Sequence, residues 1–409
     1  MRIAQIAPPW IPIPPKNYGG TESVISNLIE EQIAQGHKVT LFAPGDARTS
    51  AKQISFFPRS LFEEGVPWQA HLKAFFHLHR SVEYIQKHIH NFDVVHMHLS
   101  SGADMYLFPL TATLPLPRVV TLHSQFPFDR INGDWQGDAD RYYLEWLLQT
   151  PLVAISKSAK EQEQRKLPLN FIDVVHHGIN VKDFPPPRIS PENFFIWLGR
   201  LVPEKGAHLA IEAAKKARVP LVIAGIVDTN IPEAKEYFEK QIEPQLDERQ
   251  IRYIGPVGLK KRNDLLRRAR AMLNPLQWEE PFGMVMVEAM AAGCPVIAFS
   301  RGAVEEIITS DEVGFVVKDV DEMVERIHAI DSIDRRKVRE YIEANFSVQK
   351  MVENYTRVYQ RLIDMDHNLI KPIPPTPETS SLNKAVNTLK PLGNEPVLSP
   401  RHNSFKESP

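Results

Sequence analysis

The chain has 409 residues, of which 43% are hydrophobic and 24% charged; that balance fills cores while keeping the surface wet, and about 100–200 residues per domain makes two domains the natural expectation. With 48 basic against 50 acidic residues the net charge is −2, so no overall field attracts nucleic acid or anionic lipid. The single cysteine, Cys294, rules out an internal disulfide and a cysteine-based zinc site, and suits a reducing compartment.

The opening apolar run stops at Pro8-Pro9, too short and too proline-broken for the core of a secretory leader. Pro281 to Phe299 is the best membrane candidate, yet Glu288 sits at its middle and Gly293-Cys294-Pro295 breaks the helix it would need. A cytoplasmic protein is expected.

Short apolar runs of strand length alternate with helical stretches, the pattern of a parallel sheet covered on both faces. In the first half, Ile3-Ala7, Val39-Ala43, Val94-His98, Val119-Leu122, Leu152-Ile155 and Ile172-His176 read as strands. Glu22 to Gln35 reads as a helix closed by Gly36, and Tyr142 to Leu148 as a helical pattern. Phe184-Pro185-Pro186-Pro187 continues neither helix nor central strand and marks a domain boundary. Beyond it come the strand Phe194-Leu198, the helix Glu204-Arg218 and the strands Leu221-Ala224, Ile251-Tyr253 and Ala271-Leu273. A helix from Gly283 to Ala292, the strand Val296-Ala298 and helices at Asp321-His328 and Asp334-Ala344 complete the series. The α/β reading is therefore two Rossmann-like domains, 1–185 and 190–346, facing across a cleft. The amphipathic run Val348 to Ile363 is placed to pack back on either half, and 347–366 is assigned to a helix returning to the first domain. From Lys371 the chain carries eight prolines in thirty-nine residues, no Trp or Tyr and one Phe; so little apolar mass predicts a disordered tail over 371–409.

The densest chemical signal is Trp278-Glu279-Glu280-Pro281-Phe282-Gly283-Met284-Val285-Met286-Val287-Glu288, followed by Ala289-Met290-Ala291-Ala292-Gly293-Cys294-Pro295. Pro281 and Gly293 bracket a helix whose free N–H groups near Phe282 to Val285 suit a phosphate or a hydroxylated sugar. At about 100° per residue, Glu280 and Glu288 do not share one helix face, so they read as two contacts on a long ligand rather than an acid/base dyad. Two cations close a strand and open a helix in Gly199-Arg200-Leu201-Val202-Pro203-Glu204-Lys205-Gly206. Fixed cations stabilise a departing diphosphate more in the transition state than before it. Near the start, Pro14-Pro15-Lys16-Asn17-Tyr18-Gly19-Gly20-Thr21-Glu22 joins strand to helix; its two glycines permit close backbone approach, while the spaced third glycine of a dinucleotide fingerprint is missing.

These segments resemble glycosyltransferase family 4, which has the GT-B fold and a Glu, seven residues, Glu motif. The resemblance covers residues 1 to about 365. It implies a retaining transfer of a sugar from a nucleotide diphosphate sugar, UDP-glucose first, to an acceptor hydroxyl, with no cofactor and no dedicated metal, the nucleotide sugar being a co-substrate. It places Glu280 and Phe282 at the donor sugar and Glu288 at the ribose. Arg200, Lys205, Gly19, Gly20, Gly283, Met284 and Val285 fall at the diphosphate, and Val257 of Gly255-Pro256-Val257 on the nucleobase side. His123, ending a strand at the carboxyl edge of the sheet, falls beside the anomeric centre as a catalytic or positioning group. His96 and His98 share a strand face, but the family shows the same Asp-Val-Val-His-x-His segment without a metal, so they read as ordinary polar residues. Arg301-Gly302-Ala303-Val304-Glu305 resembles a Gly-Gly-x-x-Glu segment with Arg in place of the first Gly, which weakens a contact for Glu305. Leu221 to Val227 lacks a usual second glycine after Gly225.

Residues 11–22 look like a subgroup that includes tetrahydrobiopterin glucosyltransferases. The acceptor is otherwise open among small metabolites, lipids and glycans, and Pro9-Trp10-Ile11 with Phe126-Pro127-Phe128 suits an aromatic or lipid one. Asp138-Ala139-Asp140 imitates a metal-binding pair but reads as carboxylates at a helix start. Lys260-Lys261-Arg262 with Arg267, Arg268 and Arg270 reads as a solvated basic helix rather than a membrane contact. A nucleotide-sugar epimerase of the same architecture and a non-enzymatic nucleotide-sugar sensor are the rival readings.

Overall fold

Buried runs rich in Val, Ile and Leu pair side by side in parallel, because helical crossovers cover both faces and leave no strand a wet side. In the computed structural model, which describes residues 1–16, 19–67, 70–126, 142–188, 190–227 and 232–369, such runs form two sheets. The first contains β1 (Arg2–Ile6), β2 (Lys38–Phe42), β3 (Lys52–Ile54), β4 (Val94–Leu99), β5 (Arg118–Leu122), β6 (Leu152–Ala154) and β7 (Phe171–Val174), in the order β3-β2-β1-β4-β5-β6-β7. The second contains β8 (Phe195–Arg200), β9 (Leu221–Ile226), β10 (Ile251–Tyr253), β11 (Met272–Asn274), β12 (Val296–Phe299) and β13 (Gly314–Val317), in the order β10-β9-β8-β11-β12-β13. Residues Met1–Asp366 make one compact unit. Asn17, Tyr18, Pro127, Phe128, the Asp138-Ala139-Asp140 triplet and the 371–409 tail lie outside the described residues.

Several elements fall outside the sequence expectation, and two strands and two helices among them show a local reason. β3 is a half-exposed edge strand, Lys-Gln-Ile, and β13 is four residues opened by Gly314. The helix His71–Lys87 buries His77 and Ser81 beside its apolar positions, and Lys157–Lys166 is almost wholly polar. The expected helix Glu204–Arg218 is also divided. Pro203–Lys205 forms a single 3-10 turn, Gly206 follows at φ +71, and the helix proper is Ala207–Ala217. A Cβ on Gly206 would lie 2.0 Å from the carbonyl oxygen of Pro275, so this turn accepts only glycine.

The chain crosses between the two sheets twice, at adjacent places. Ile179 bridges Ser347 in parallel, with Ile179 N–H donating to Phe346 O at 2.9 Å and Val348 N–H to Ile179 O at 3.0 Å. The Arg339 guanidinium ties this crossing down, donating to Val181 O at 2.9 Å, Phe184 O at 3.1 Å and Ala291 O at 2.7 Å. The terminal helix Val348–Leu369 then packs Met351, Val352, Tyr355, Val358 and Tyr359 with Ile3, Val94, Val119 and Val153 of the first sheet. No helix among the described residues is long and apolar enough to cross a membrane.

Met351 is 1% exposed, and its Sδ accepts the Gly178 N–H at 3.2 Å. Met351→Ala leaves a cavity under the crossing and is expected to cost about 2–5 kcal/mol, read as a lowered urea midpoint.

Candidate active site

Strand order fixes where a ligand can lie. From β8 the chain winds outward through β9 and β10, then returns on the other side of β8 to β11. The loops leaving the carboxyl ends of β8 and β11 therefore diverge and open a crevice at this switch point. The loop after β8 carries Lys205, and the loop after β11 carries Trp278, Glu279 and Glu280. Lys205 Nζ lies 2.6 Å from Glu280 Oε2, which also accepts the Trp278 indole N–H at 3.1 Å. The ammonium stands 4.4 Å from the centre of the Trp278 ring, a cation–π contact that adds to the ion pair. The two side chains are only 19% and 13% exposed, so the pair is largely desolvated. Arg200, the last residue of β8, is exposed and has no ion pair with a described residue.

Behind this pair the helix Met284–Ala291 begins at Gly283, whose φ is +99 and which gives no side-chain cap. The N–H groups of Met284 and Val285 thus open the helix without an internal acceptor and with its positive end behind them. Phe282 is 2% exposed and packs edge-on against His177 at 5.1 Å, with His176 and Phe346 beside it. Its ring is a strut in the protein, which leaves its backbone as the part able to meet a sugar. Glu288, one helix turn further in, pairs with Arg262 at 2.8 Å. Burial holds its carboxyl above the usual range, with Arg262 opposing. Val257 is half-buried after β10, where Gly225 N–H donates to Gly255 O at 3.1 Å.

Three contributors lie outside the sequence expectation. Trp278 stands within the recognised segment but draws attention only once Lys205 is seen over its ring. Gly302 packs on the backbone of Glu280: a Cβ there would be 2.2 Å from Glu280 O and 2.4 Å from its N. Its N–H donates to Glu279 Oε2 at 2.6 Å, and Ala303 N–H to Glu280 O at 2.9 Å. Glu306 accepts Lys157 N–H at 2.8 Å, Ser158 N–H at 2.7 Å and His176 Nε2–H at 2.8 Å. It thereby caps the polar helix Lys157–Lys166 of the first half from the second half, something no sequence pattern announces. Burial pushes the Glu306 carboxyl up, but those hydrogen bonds outweigh it and hold the group below its usual range. Glu305, by contrast, turns to the Ser300 hydroxyl.

From the first sheet, His123 follows β5 and is 8% exposed. Its backbone N–H donates to Leu99 O at 2.9 Å, its Nε2 is 2.9 Å from His98 Nδ1, and its ring stacks on His177 at 5.1 Å. Burial pushes His96, His98 and His123 well below the usual imidazole range and His177 to about 3; all four are neutral at pH 7. His96 and His98 are hydrogen-bonded at both ring nitrogens. No group of three or more His, Cys, Asp or Glu among the described residues is placed to hold a metal.

Gly19 ends the loop after β1, and Gly20 opens the helix Gly20–Ala34 with nothing within 4 Å of a Cβ position. Glu22 folds back over this helix start, its Oε2 2.9 Å from where a Cβ on Gly19 would stand. Burial pushes its carboxyl up to about 7, with Asp104 adding to the rise and its own backbone N–H opposing. Trp10 and Phe126, expected in an acceptor-facing loop, are each 1% exposed. Trp10 packs with Leu61 and Val66, and Phe126 joins the core under β5 and β6; their rings are core rather than docking surface.

Residues 180–345 match the family described as "Glycosyl transferases group 1", and residues 18–183 the one described as "Glycosyltransferase Family 4". The chain is a family 4-like glycosyltransferase with the GT-B fold. It is similar to a phosphatidyl-myo-inositol mannosyltransferase of Propionibacterium freudenreichii, 26% identical over 76% of this chain and 80% of that protein. An uncharacterized glycosyltransferase of Methanocaldococcus jannaschii is 26% identical over 66% of this chain and 76% of that one. Among solved structures, the sucrose-phosphate synthase of Thermosynechococcus elongatus superposes with a TM-score of 0.68 at 20% identity, covering 89% of this chain and 99% of that one. Anabaena HepE in complex with UDP and glucose gives 0.65 at 16% identity, covering 88% and 99%.

Two predictions follow from the geometry of this glycosyltransferase. Gly302→Ala forces the Glu280 backbone off its position; turnover of a nucleotide-sugar donor is expected to fall about tenfold or more while circular dichroism stays unchanged. For Glu22, the folded pKa of about 7 exceeds the unfolded value of about 4.3. Its contribution is present below about 4.3 and is lost as pH rises through about 7. Glu22→Gln should therefore raise the stability at pH 8 by about 1–3 kcal/mol and flatten its decline between pH 4.5 and 8, measured by urea unfolding across that range.

Proposed function

We propose that this glycosyltransferase moves a hexose from a nucleotide diphosphate sugar to an acceptor hydroxyl, with retention at the anomeric carbon, in the cytoplasm. The observation that carries the reading is the desolvated Lys205–Glu280 pair on Trp278 at the switch point, with the uncapped start of Met284–Ala291 directly behind it. A diphosphate in that crevice meets Arg200 and Lys205 on one side and the Met284 and Val285 N–H groups on the other. As the bond from the anomeric carbon to phosphate oxygen breaks, negative charge grows on the phosphate, and donors already in place stabilise it without reorganisation. Lys205, drawn toward that charge, leaves Glu280 free to face the positive charge growing on the sugar ring. The acceptor oxygen bonds to the carbon on the face the phosphate leaves, and its proton passes to the departing phosphate oxygen. Glu288 receives the ribose, Val257 flanks the base, the loop at Gly19 and Gly20 closes over the diphosphate, and His123 stands beside the transferred sugar. We assign no metal or cofactor to these steps.

UDP-glucose is the donor to assay first, in keeping with the UDP and glucose bound by the similar Anabaena HepE. A reduced pterin is the acceptor to assay first, on the resemblance of residues 11–22 to tetrahydrobiopterin glucosyltransferases. Product is followed by mass spectrometry with UDP-glucose and each acceptor. Glu280→Gln is expected to lower kcat about 10²–10³-fold and to leave donor affinity within a few-fold, because its charge acts in the transition state. Unchanged kcat overturns the assignment of Glu280, and conversion of the donor sugar without any acceptor identifies an epimerase instead.

A further inference from the structure

Beneath His123 lies a hydrogen-bonded network whose members are all buried: Gln5, Gln32, His96, His98 and Thr121, closed by Tyr355 and Tyr359 of the terminal helix. The bonds have a direction. Tyr359 Oη receives Gln32 Nε2–H at 3.1 Å and Gln5 Nε2–H at 3.5 Å, so its own proton goes to His96 Nδ1 at 2.7 Å. His96 then donates from Nε2 to Thr121 Oγ1 at 2.7 Å, which shares a bond with Tyr355 Oη at 2.7 Å. In the other branch, Gln5 spends its amide on Gln32 Oε1 at 2.9 Å and accepts His98 Nε2–H on its own Oε1 at 2.9 Å. A neutral His98 protonated at Nε2 has only a lone pair at Nδ1, and that lone pair can bind His123, 2.9 Å away, only if His123 Nε2 carries the proton. His123 Nδ1 is then bare, and it is buried with no partner among the described residues.

We infer that Gln5, Gln32, His98 and Tyr359 act as positioning residues that lock His123 in the Nε2–H form, so that its bare Nδ1 accepts a hydrogen bond from a ligand hydroxyl. His123 on this account is an acceptor and not a general acid. Turning both glutamine amides over would make His123 Nδ1 a donor, but would set two amide oxygens against the single Tyr359 proton. The forward direction is the one in which Tyr359 Oη takes two N–H groups and gives its proton to a third partner. The wire also ties the terminal helix, which begins at the crossing between the halves, to a group beside the transferred sugar. This inference rests on the proposed place of His123 beside that sugar.

The deciding experiment is long-range proton–nitrogen correlation on the full chain with ring-15N histidine at pH 7, His123 being assigned by the signals lost in His123→Asn. The expected pattern is protonated Nε2 and bare Nδ1 for both His98 and His123, with the Nδ1 signal of His123 moving on addition of UDP-glucose. A protonated Nδ1 or an imidazolium at His123 overturns the inference. His98→Leu removes the acceptor and should lower kcat about tenfold or more, with KM for UDP-glucose within about twofold. His98→Asn keeps an oxygen where Nδ1 stood and should recover kcat to within about threefold of the native chain. Equal losses in the two variants reduce His98 to packing and overturn the inference; if either fails to fold, the spectrum of the native chain decides. Absence of transfer from any nucleotide diphosphate hexose, with the expected tautomers present, defeats the proposed reaction and leaves the wire standing.

Discussion

The structure turns on a cation and a carboxylate held 2.6 Å apart and four-fifths or more withdrawn from water. Breaking such a pair by removing one partner typically costs about 3–5 kcal/mol, because the survivor is left uncompensated. β8 and β11 are neighbours in the sheet, Gly206 lets the first loop pass where a Cβ would lie 2.0 Å from Pro275 O of the second, and Gly302 lets a third loop lie against the Glu280 backbone. Each glycine sits where a methyl group would collide with main chain rather than with a movable side-chain tip. The loops thus hold their charged groups by backbone contact, which limits how far the pair can relax.

The same segment also joins the halves. Ser156 Oγ donates to Pro281 O at 2.6 Å, and Gln125 Nε2 to Glu279 O at 3.3 Å. Phe282 fills the space against His176 and His177, while Glu306 caps the helix that follows β6. A movement of one half against the other therefore acts directly on residues 279–282. At its far end the helix that starts at Gly283 gives its Ala291 carbonyl to Arg339, and the same guanidinium binds Val181 and Phe184 at the crossing. That helix is anchored at both ends to contacts between the halves.

Much of this was legible in the sequence because parallel strands and a helix start leave local marks. β1, β2, β4 and β8 to β12 follow from apolar runs, and Pro281 and Gly293 bracket the helix Met284–Ala291 almost to the residue. β3 was not legible, since Lys-Gln-Ile at a sheet edge needs no apolar run. The helix Lys157–Lys166 shows no apolar stripe because its order comes from the Ser156 cap and from Glu306, about 150 positions away in sequence. Lys205 lies in a 3-10 turn rather than in the expected helix, because the break at Gly206 is imposed by Pro275, a neighbour in space only. The cation–π contact, the tautomer wire and the exclusion of Trp10 from the surface are likewise properties of packing, which a linear pattern does not encode.

Two departures from the family pattern become intelligible once the backbone is seen. Arg301 stands where a first glycine is usual, and its side chain is exposed, whereas the following Gly302 is the position pressed on Glu280. Only the second of the two positions is pressed on main chain, and the first carries an exposed cation. Ile226, where a second glycine is usual after Gly225, ends β9 with an ordinary strand conformation and is 49% exposed. Gly225 is the residue that cannot change, as a Cβ there would fall 1.9 Å from Gly199 O. At both places the glycine that is present, Gly302 or Gly225, is the one pressed on main chain, and the neighbouring position that carries a side chain, Arg301 or Ile226, is exposed.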